Sequence, residues 1–220
     1  KKTTAHKSNA LDDRYYYLKS IFGKEDTAMA AENHTAAIDE IEKNVSDLQI
    51  DCDFKRVSGY LFLHSSGKEE KLDKEYQATQ NAGLETKLLS QTPIIADGNT
   101  MRCLEFKNQA QFHVLSYIKG LADAILSMGG TLYTQAHAEN ISKHGAEVNG
   151  FTFTAQHIVV ATNTPINNIF NMHTKQYAYR SYVIAGKIPK GTLPYSLWWD
   201  TGDMDSKWVS QPYHYVRLEN

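Results

Sequence analysis

Apolar and polar positions alternate along this chain with two distinct periods. Between Asp12 and Leu48, Ile38, Ile41, Val45 and Leu48 recur at steps of three and four, with Glu32, Asp39, Glu40, Glu42 and Lys43 on other faces, which predicts an amphipathic helix. Gly23 is a helix-ending signal, so residues 14–22 read as a shorter helix of their own. Residues 54–63 are rich in aromatic and branched side chains and predict a strand bent at Gly59. Leu72, Tyr76 and Thr79 are spaced for a surface helix over 68–82 that stops at Gly83, and Asp97-Gly98-Asn99 predicts a turn between two extended pieces of 94–112. Val114, Ile118, Leu121, Ile125 and Met128 then mark the clearest helix, closed by Gly129-Gly130. Next come an extended run at Thr131-Leu132-Tyr133-Thr134, a polar hairpin containing Gly145 and Gly150, and the apolar run 156–161, expected as a strand buried on both faces. Two tyrosine-bearing extended runs close the chain, one through Tyr177, Tyr179 and Tyr182 and one through Tyr213 and Tyr215. Helix, strand, hairpin and buried strand in this order point to an α/β fold.

Composition narrows the classes of function. The 220 residues carry 23 Lys+Arg and 25 Asp+Glu, a net charge of −2, with no basic footprint for nucleic acid or anionic lipid. No transmembrane-length apolar run occurs, and Cys52 and Cys103 make neither a disulfide framework nor a C-x-x-C site, so a reducing, cytoplasmic setting is expected. Both ends read as cut rather than finished, because Lys1 is not an initiator Met and Asn220 follows directly on a strand-like run.

Catalytic fingerprints are sparse. None of the 13 glycines forms a G-x-G pair, and the two gaps of P-loop length lack the following Lys-Ser/Thr, so no phosphate-binding loop is expected in this chain. His137-Ala138-Glu139 opens like a zinc deaminase motif without the P-C-x-x-C that completes it, and no metal site is expected. G-x-S-x-G is missing, which leaves hydrolysis unsupported.

Several stretches nevertheless form a pattern: Thr3-Thr4-Ala5-His6, Asp12-Asp13-Arg14-Tyr15-Tyr16, Glu32-Asn33-His34-Thr35-Ala36-Ala37-Ile38, Ile50-Asp51-Cys52-Asp53-Phe54 and Gly59-Tyr60-Leu61-Phe62. They continue through Asn108-Gln109-Ala110-Gln111-Phe112-His113, Val159-Val160-Ala161-Thr162-Asn163-Thr164-Pro165 and Pro212-Tyr213-His214-Tyr215-Val216-Arg217. Together they resemble the FAD-dependent oxidoreductases of the D-amino-acid oxidase superfamily over essentially the whole chain, most of all its bacterial glycine/D-amino-acid oxidase-like branch, some members of which carry a Rieske domain. The resemblance implies an α/β architecture: an α+β substrate domain with an antiparallel sheet, plus part of an FAD/NAD(P)-binding Rossmann-like domain lacking its first βαβ unit. It divides the chain into a flavin-side segment with helices (1–48), a first part of the substrate domain (49–112), part of the FAD-binding domain (113–172) and a second part of the substrate domain (173–220).

Carried over position by position, the resemblance places Thr3, Thr4 and His6 beside FAD as the chain leaves it, and Ala161, Thr162 and Asn163 at a second flavin-side turn. Asn163 stands where that turn usually has glycine, and Asn is the next residue to tolerate positive φ. Gln111, His113, Tyr179, Arg180, Tyr182, Tyr213, Tyr215 and Arg217 are implied on the substrate side. Arg180 and Arg217 are the alternatives for a guanidinium that grips a substrate carboxylate with two hydrogen bonds. For Gln109, Gln111 and His113 the competing role is to cap the helix that begins at Val114. His113 and His214 are acid–base candidates by position alone, and the catalytic residues stay open. The expected activity of the complete protein is oxidation of a C–N bond in a small amine or amino acid with hydride transfer to flavin, in a partnership with a Rieske domain or another electron acceptor. This fragment alone is expected to be inactive, since its main cofactor anchor lies outside it. Two other classes stay open: a non-catalytic domain that binds ligand or protein through a tyrosine-rich sheet, and a flavoprotein of different chemistry, hydroxylation or electron transfer.

Overall fold

A computed structural model of the chain describes residues 6–93, 101–162, 181–207 and 213–219. It divides into two compact units, one of residues 1–128 with 189–220 and one of residues 129–188. The expected turn at Asp97-Gly98-Asn99 lies outside the described residues, as do Thr3, Thr4, Asn163, Tyr179 and Arg180.

The larger unit is a sheet with helices. Strand β1 (His6–Lys7) leads into helix α1 (Tyr15–Asp47), followed by β2 (Lys55–Phe62), α2 (Glu69–Asn81), β3 (Thr86–Leu89), β4 (Cys103–Gln111) and α3 (Val114–Ser127). The smaller unit holds β5 (Ala138–Glu139), β6 (Gly145–Val148) and β7 (Phe151–Thr154), and the chain closes in the larger unit with β8 (Ser196–Asp200) and β9 (Tyr215–Arg217).

Helix α1 is continuous hydrogen-bonded chain with a break inside it, because Gly23 sits at φ 84°, ψ −178°. The two helices expected on either side of Gly23 are therefore both present. At the N-terminus of α1, Arg14 offers no side-chain cap. The exposed backbone donors of the first turn are met from α2 instead: Tyr15 N–H donates to Glu75 Oε1 at 3.1 Å and Tyr16 N–H to Glu75 Oε2 at 3.2 Å. Burial pushes the Glu75 carboxyl above its ordinary range, against the pull of those two N–H groups. Helix α2 ends as expected at Gly83, which takes φ 82°.

The large sheet runs β1-β4-β2-β8-β9, with β3 on the same edge of β4 as β1. Alternation in β2 sends Val57, Gly59 and Leu61 inward, where Leu104 and Phe106 of β4, Leu197 and Trp199 of β8, Tyr15 and Ala31 of α1 and Leu72 and Ala78 of α2 form the core. The expected bend at Gly59 is a register shift between Val57 and Gly59, opposite the Lys107-Asn108 step of β4. A Cβ on Gly59 would lie 2.6 Å from the Trp199 ring, so glycine is required by close approach. Pairing of β2 with β8 is parallel, whereas its other neighbour β4 is antiparallel. A second cluster, Ile50, Cys52 and Phe112 with Val114, Tyr117 and Leu121, seats one side of α3.

The smaller unit is a three-stranded antiparallel sheet. Its expected hairpin is present, with Asn149 (φ 50°) and Gly150 (φ 84°) forming the two-residue turn that hairpin twist favours.

Three expectations are corrected. Thr131-Leu132-Tyr133-Thr134 is not a strand, and residues 156–161 are irregular and exposed except for half-buried Ile158, instead of a strand buried on both faces. An apolar, branched run gains burial only between partner strands, and among the described residues none pairs with it. Residues 181–188, including Tyr182, are likewise exposed without strand pairing. Conversely, Trp198-Trp199, expected between strands, form the buried centre of β8.

Candidate functional site

The candidate site lies where the first and last strands of the large sheet come together. In sheet order β1 and β9 are at opposite ends, yet their side chains bridge them. His6 faces Gln111 in register across β1 and β4. The His6 Nε2–H donates to the Val216 carbonyl at 3.3 Å, and Gln111 Nε2 donates to the Leu218 carbonyl at 3.0 Å. The sheet is therefore curled until its ends meet, and His6 and Gln111 sit at the seam.

Electrostatics at the seam follow from that closure. Burial, helped by the nearby Arg217 charge and opposed by the Val216 carbonyl, lowers the His6 pKa to about 4. The imidazole is neutral near pH 7, and its donation through Nε2 leaves Nδ1 as an acceptor. His6 Nδ1 and Gln111 Oε1 are both buried without a hydrogen-bond partner among the described residues. Two unmet acceptors side by side are costly, and they fit a group that presents N–H or O–H donors.

Tyrosines flank the seam. The His6 and Tyr215 rings lie 4.8 Å apart, Tyr213 meets Tyr215 edge-on at 4.9 Å, and the Tyr215 hydroxyl donates to Asp12 Oδ1 at 2.9 Å. Burial first, and then Asp12, push the Tyr215 phenol well above its ordinary range. Arg217 pairs with Glu219, its Nη2 lying 2.7 Å and 2.6 Å from the two carboxylate oxygens. Next to this row, buried Asp200 accepts from the backbone N–H of Gly202 at 2.9 Å and from His214 Nδ1 at 2.7 Å, leaving His214 Nε2 outward on a largely exposed ring. The His64 ring lies parallel to His214 at 6.3 Å, and its Nδ1 contacts Ser66 Oγ, which donates to Asp203.

The sequence-derived candidates thus separate. His6, Gln111, Tyr213, Tyr215 and Arg217 gather around the seam. His113 is the N-cap of α3, its Nδ1 accepting from Ser116 N–H at 3.1 Å. Gln109 caps nothing; it is buried and exchanges side-chain and backbone hydrogen bonds with Asn9. Ala161 and Thr162 are exposed in the smaller unit, and Tyr182 is exposed. Sequence reasoning missed the Asp200–His214 couple. Its signal was a carboxylate ending an aromatic run beside Gly202, too short to stand out without its partner 14 residues on. Among the described residues no three His, Cys, Asp or Glu side chains converge as metal ligands, and no helix is long and apolar enough to cross a membrane.

Comparison with known proteins finds relatives in sequence and in fold. The chain is 31% identical over 206 residues to YhfW of Bacillus subtilis (strain 168), named as a Rieske 2Fe-2S iron-sulfur protein; the match covers 89% of this chain and 40% of that one. L-proline dehydrogenase from P. horikoshii superposes with a TM-score of 0.57 at 13% identity, covering 87% of this chain and 52% of that one, a likeness of fold. Glycine oxidase from Geobacillus kaustophilus matches 60% of this chain and 38% of its own at 19% identity, with a TM-score of 0.47. The chain thus spans about half or less of the length of these relatives. The profile of the DAO family, FAD dependent oxidoreductase, matches residues 2–217, and the chain belongs to that family.

Proposed function

We propose that the whole protein oxidises a C–N bond of a small amine or amino acid, with FAD as its cofactor. The observation that carries this reading is the seam itself: in a chain of this family, a neutral His6 and Gln111 hold two buried, unmet acceptors side by side. His6 and Gln111 would hold the cofactor through those acceptors, together with Thr3 and Thr4 upstream. When bound, FAD supplies acceptance of the hydride that leaves the carbon.

The chain's own residues do the remaining work. Tyr213 and Tyr215 wall the substrate side and exclude water, and a neutral His6 keeps a positive charge away from the hydride path. Arg217 is held by Glu219, and Arg180 is the other guanidinium proposed for a substrate carboxylate. A Rieske domain is the proposed electron acceptor, from the likeness to YhfW.

The test is anaerobic addition of a panel of small amines and amino acids to the full-length protein while flavin absorbance is followed. Bleaching by a C–N substrate is expected. A protein that holds flavin but is bleached by none of them performs other chemistry, and one that cannot be reconstituted with FAD is a binding domain.

A further inference from the structure

Strand β1 is too short to hold His6 by itself. It pairs with β4 at two positions, His6 with Gln111 and Lys7 with Ala110, and lies at one end of the sheet order. The chain beyond it is fixed by buried Asn9 and by Gln109, which is fully buried two residues before Gln111 on the same face of β4. The Asn9 backbone N–H donates to Gln109 Oε1 at 2.8 Å, and Gln109 Nε2 donates back to Asn9 Oδ1 at 2.9 Å. The second proton on Gln109 Nε2 goes to the Lys107 carbonyl at 2.6 Å, beside the register shift of β4. The Gln109 amide thereby extends the attachment of β1 to β4 past its last backbone pair.

Asn9 also ties β1 to α1. Its Nδ2 donates to Thr35 Oγ1 at 3.0 Å, Thr35 passes its own proton to the Ala31 carbonyl at 2.9 Å, and the Asn9 carbonyl accepts from the Tyr15 hydroxyl. The one oxygen and both N–H groups of Gln109 are used, and among side chains of this length only a carboxamide offers that set. A carboxylate would set a second acceptor against Asn9 Oδ1 and the Lys107 carbonyl, and an apolar side chain would leave the buried Asn9 N–H without a partner.

We propose that Gln109 is a positioning residue for the seam: by holding Asn9 it keeps His6 in the place from which its unmet Nδ1 receives a donor of FAD. The FAD half of this role rests on the cofactor site proposed above, whereas the placing of His6 involves this chain alone. Release of Asn9 would let the two-residue strand fray, admit water to the imidazole and remove the burial that keeps it neutral.

The experiment follows the His6 ring by NMR pH titration of the cofactor-free full-length protein, with His6→Asn to assign the signal, and FAD affinity by quenching of flavin fluorescence. Gln109→Met, close in volume but without the polar set, should raise the His6 pKa by about one unit or more toward the ordinary 6.5 and weaken FAD about tenfold or more. Asn9→Ala, which removes only the side-chain half of the exchange, should act in the same direction, and it decides the matter if Gln109→Met proves unfolded by circular dichroism. Leu72→Ala, a core truncation in α2, should lower the urea midpoint while leaving the His6 pKa in place. An unchanged His6 pKa in Gln109→Met or Asn9→Ala, or an equal rise in Leu72→Ala, would overturn the proposal. A raised pKa with FAD affinity intact would leave Gln109 placing His6 but overturn its link to the cofactor, and with it the cofactor role of His6.

Discussion

At the residue scale, His6 illustrates how position converts an ordinary side chain into a functional candidate. Its pKa of about 4 lies below the ordinary 6.5, so between those values the unfolded chain takes up a proton that the folded chain refuses. Stability contributed by a neutral His6 is complete above pH 6.5 and is lost as pH falls toward 4. Lowering the pH from 7 to 4.5 should cost wild type about 1–3 kcal/mol more than His6→Asn, read from urea midpoints at the two pH values. Equal losses in both proteins would show that the imidazole is not held neutral. Sequence reasoning reached His6 only through resemblance, because nothing in Thr-Thr-Ala-His predicts that the far end of the sheet will close over the ring. His113 was different. A polar residue directly before a clear helical period is a local capping signal, and the cap is what the structure has.

At the element scale, legibility followed the range of the forces involved. Helix breaks at Gly23 and Gly83 and the Asn149-Gly150 turn are local backbone effects, and each was readable from the residues. Strand β8 was not, since its five residues lie close behind Pro194 and are buried by a partner 138 residues earlier. Residues 156–161 fail in the opposite sense: their apolar pattern states what the run would do between neighbours, and among the described residues no neighbour is paired with it. Gly59 ties β2 to β8 most tightly, because a Cβ there would press on the Trp199 ring. Gly59→Ala should destabilise the larger unit by about 1–3 kcal/mol, with the near-ultraviolet circular dichroism of the tryptophans weakened. A variant with wild-type stability and spectrum would mean that β8 has room to move away.

At the scale of the whole molecule, protection should follow the sheet. Tyr182 is 87% exposed in an unpaired segment, whereas Phe106 and Trp198 are fully buried. Brief chymotrypsin treatment should cut at Tyr182 well before either, as mass spectrometry of the first fragments would show. First cuts at Phe106 or Trp198 would contradict the sheet order. The same order has a consequence for how the chain is made. During synthesis β2 is finished early and can pair with β4 once residue 111 has emerged, but its other edge is covered only by β8. At roughly 5–20 residues per second, the ribosome needs on the order of 7–27 s to deliver β8 after β2. Throughout that interval the open backbone edge of β2, with Val57 and Leu61 beside it, is a template for the wrong strand from another chain. Yield in a cell should therefore depend on translation speed and on chaperones that shield nascent strands, independently of how stable the finished sheet is.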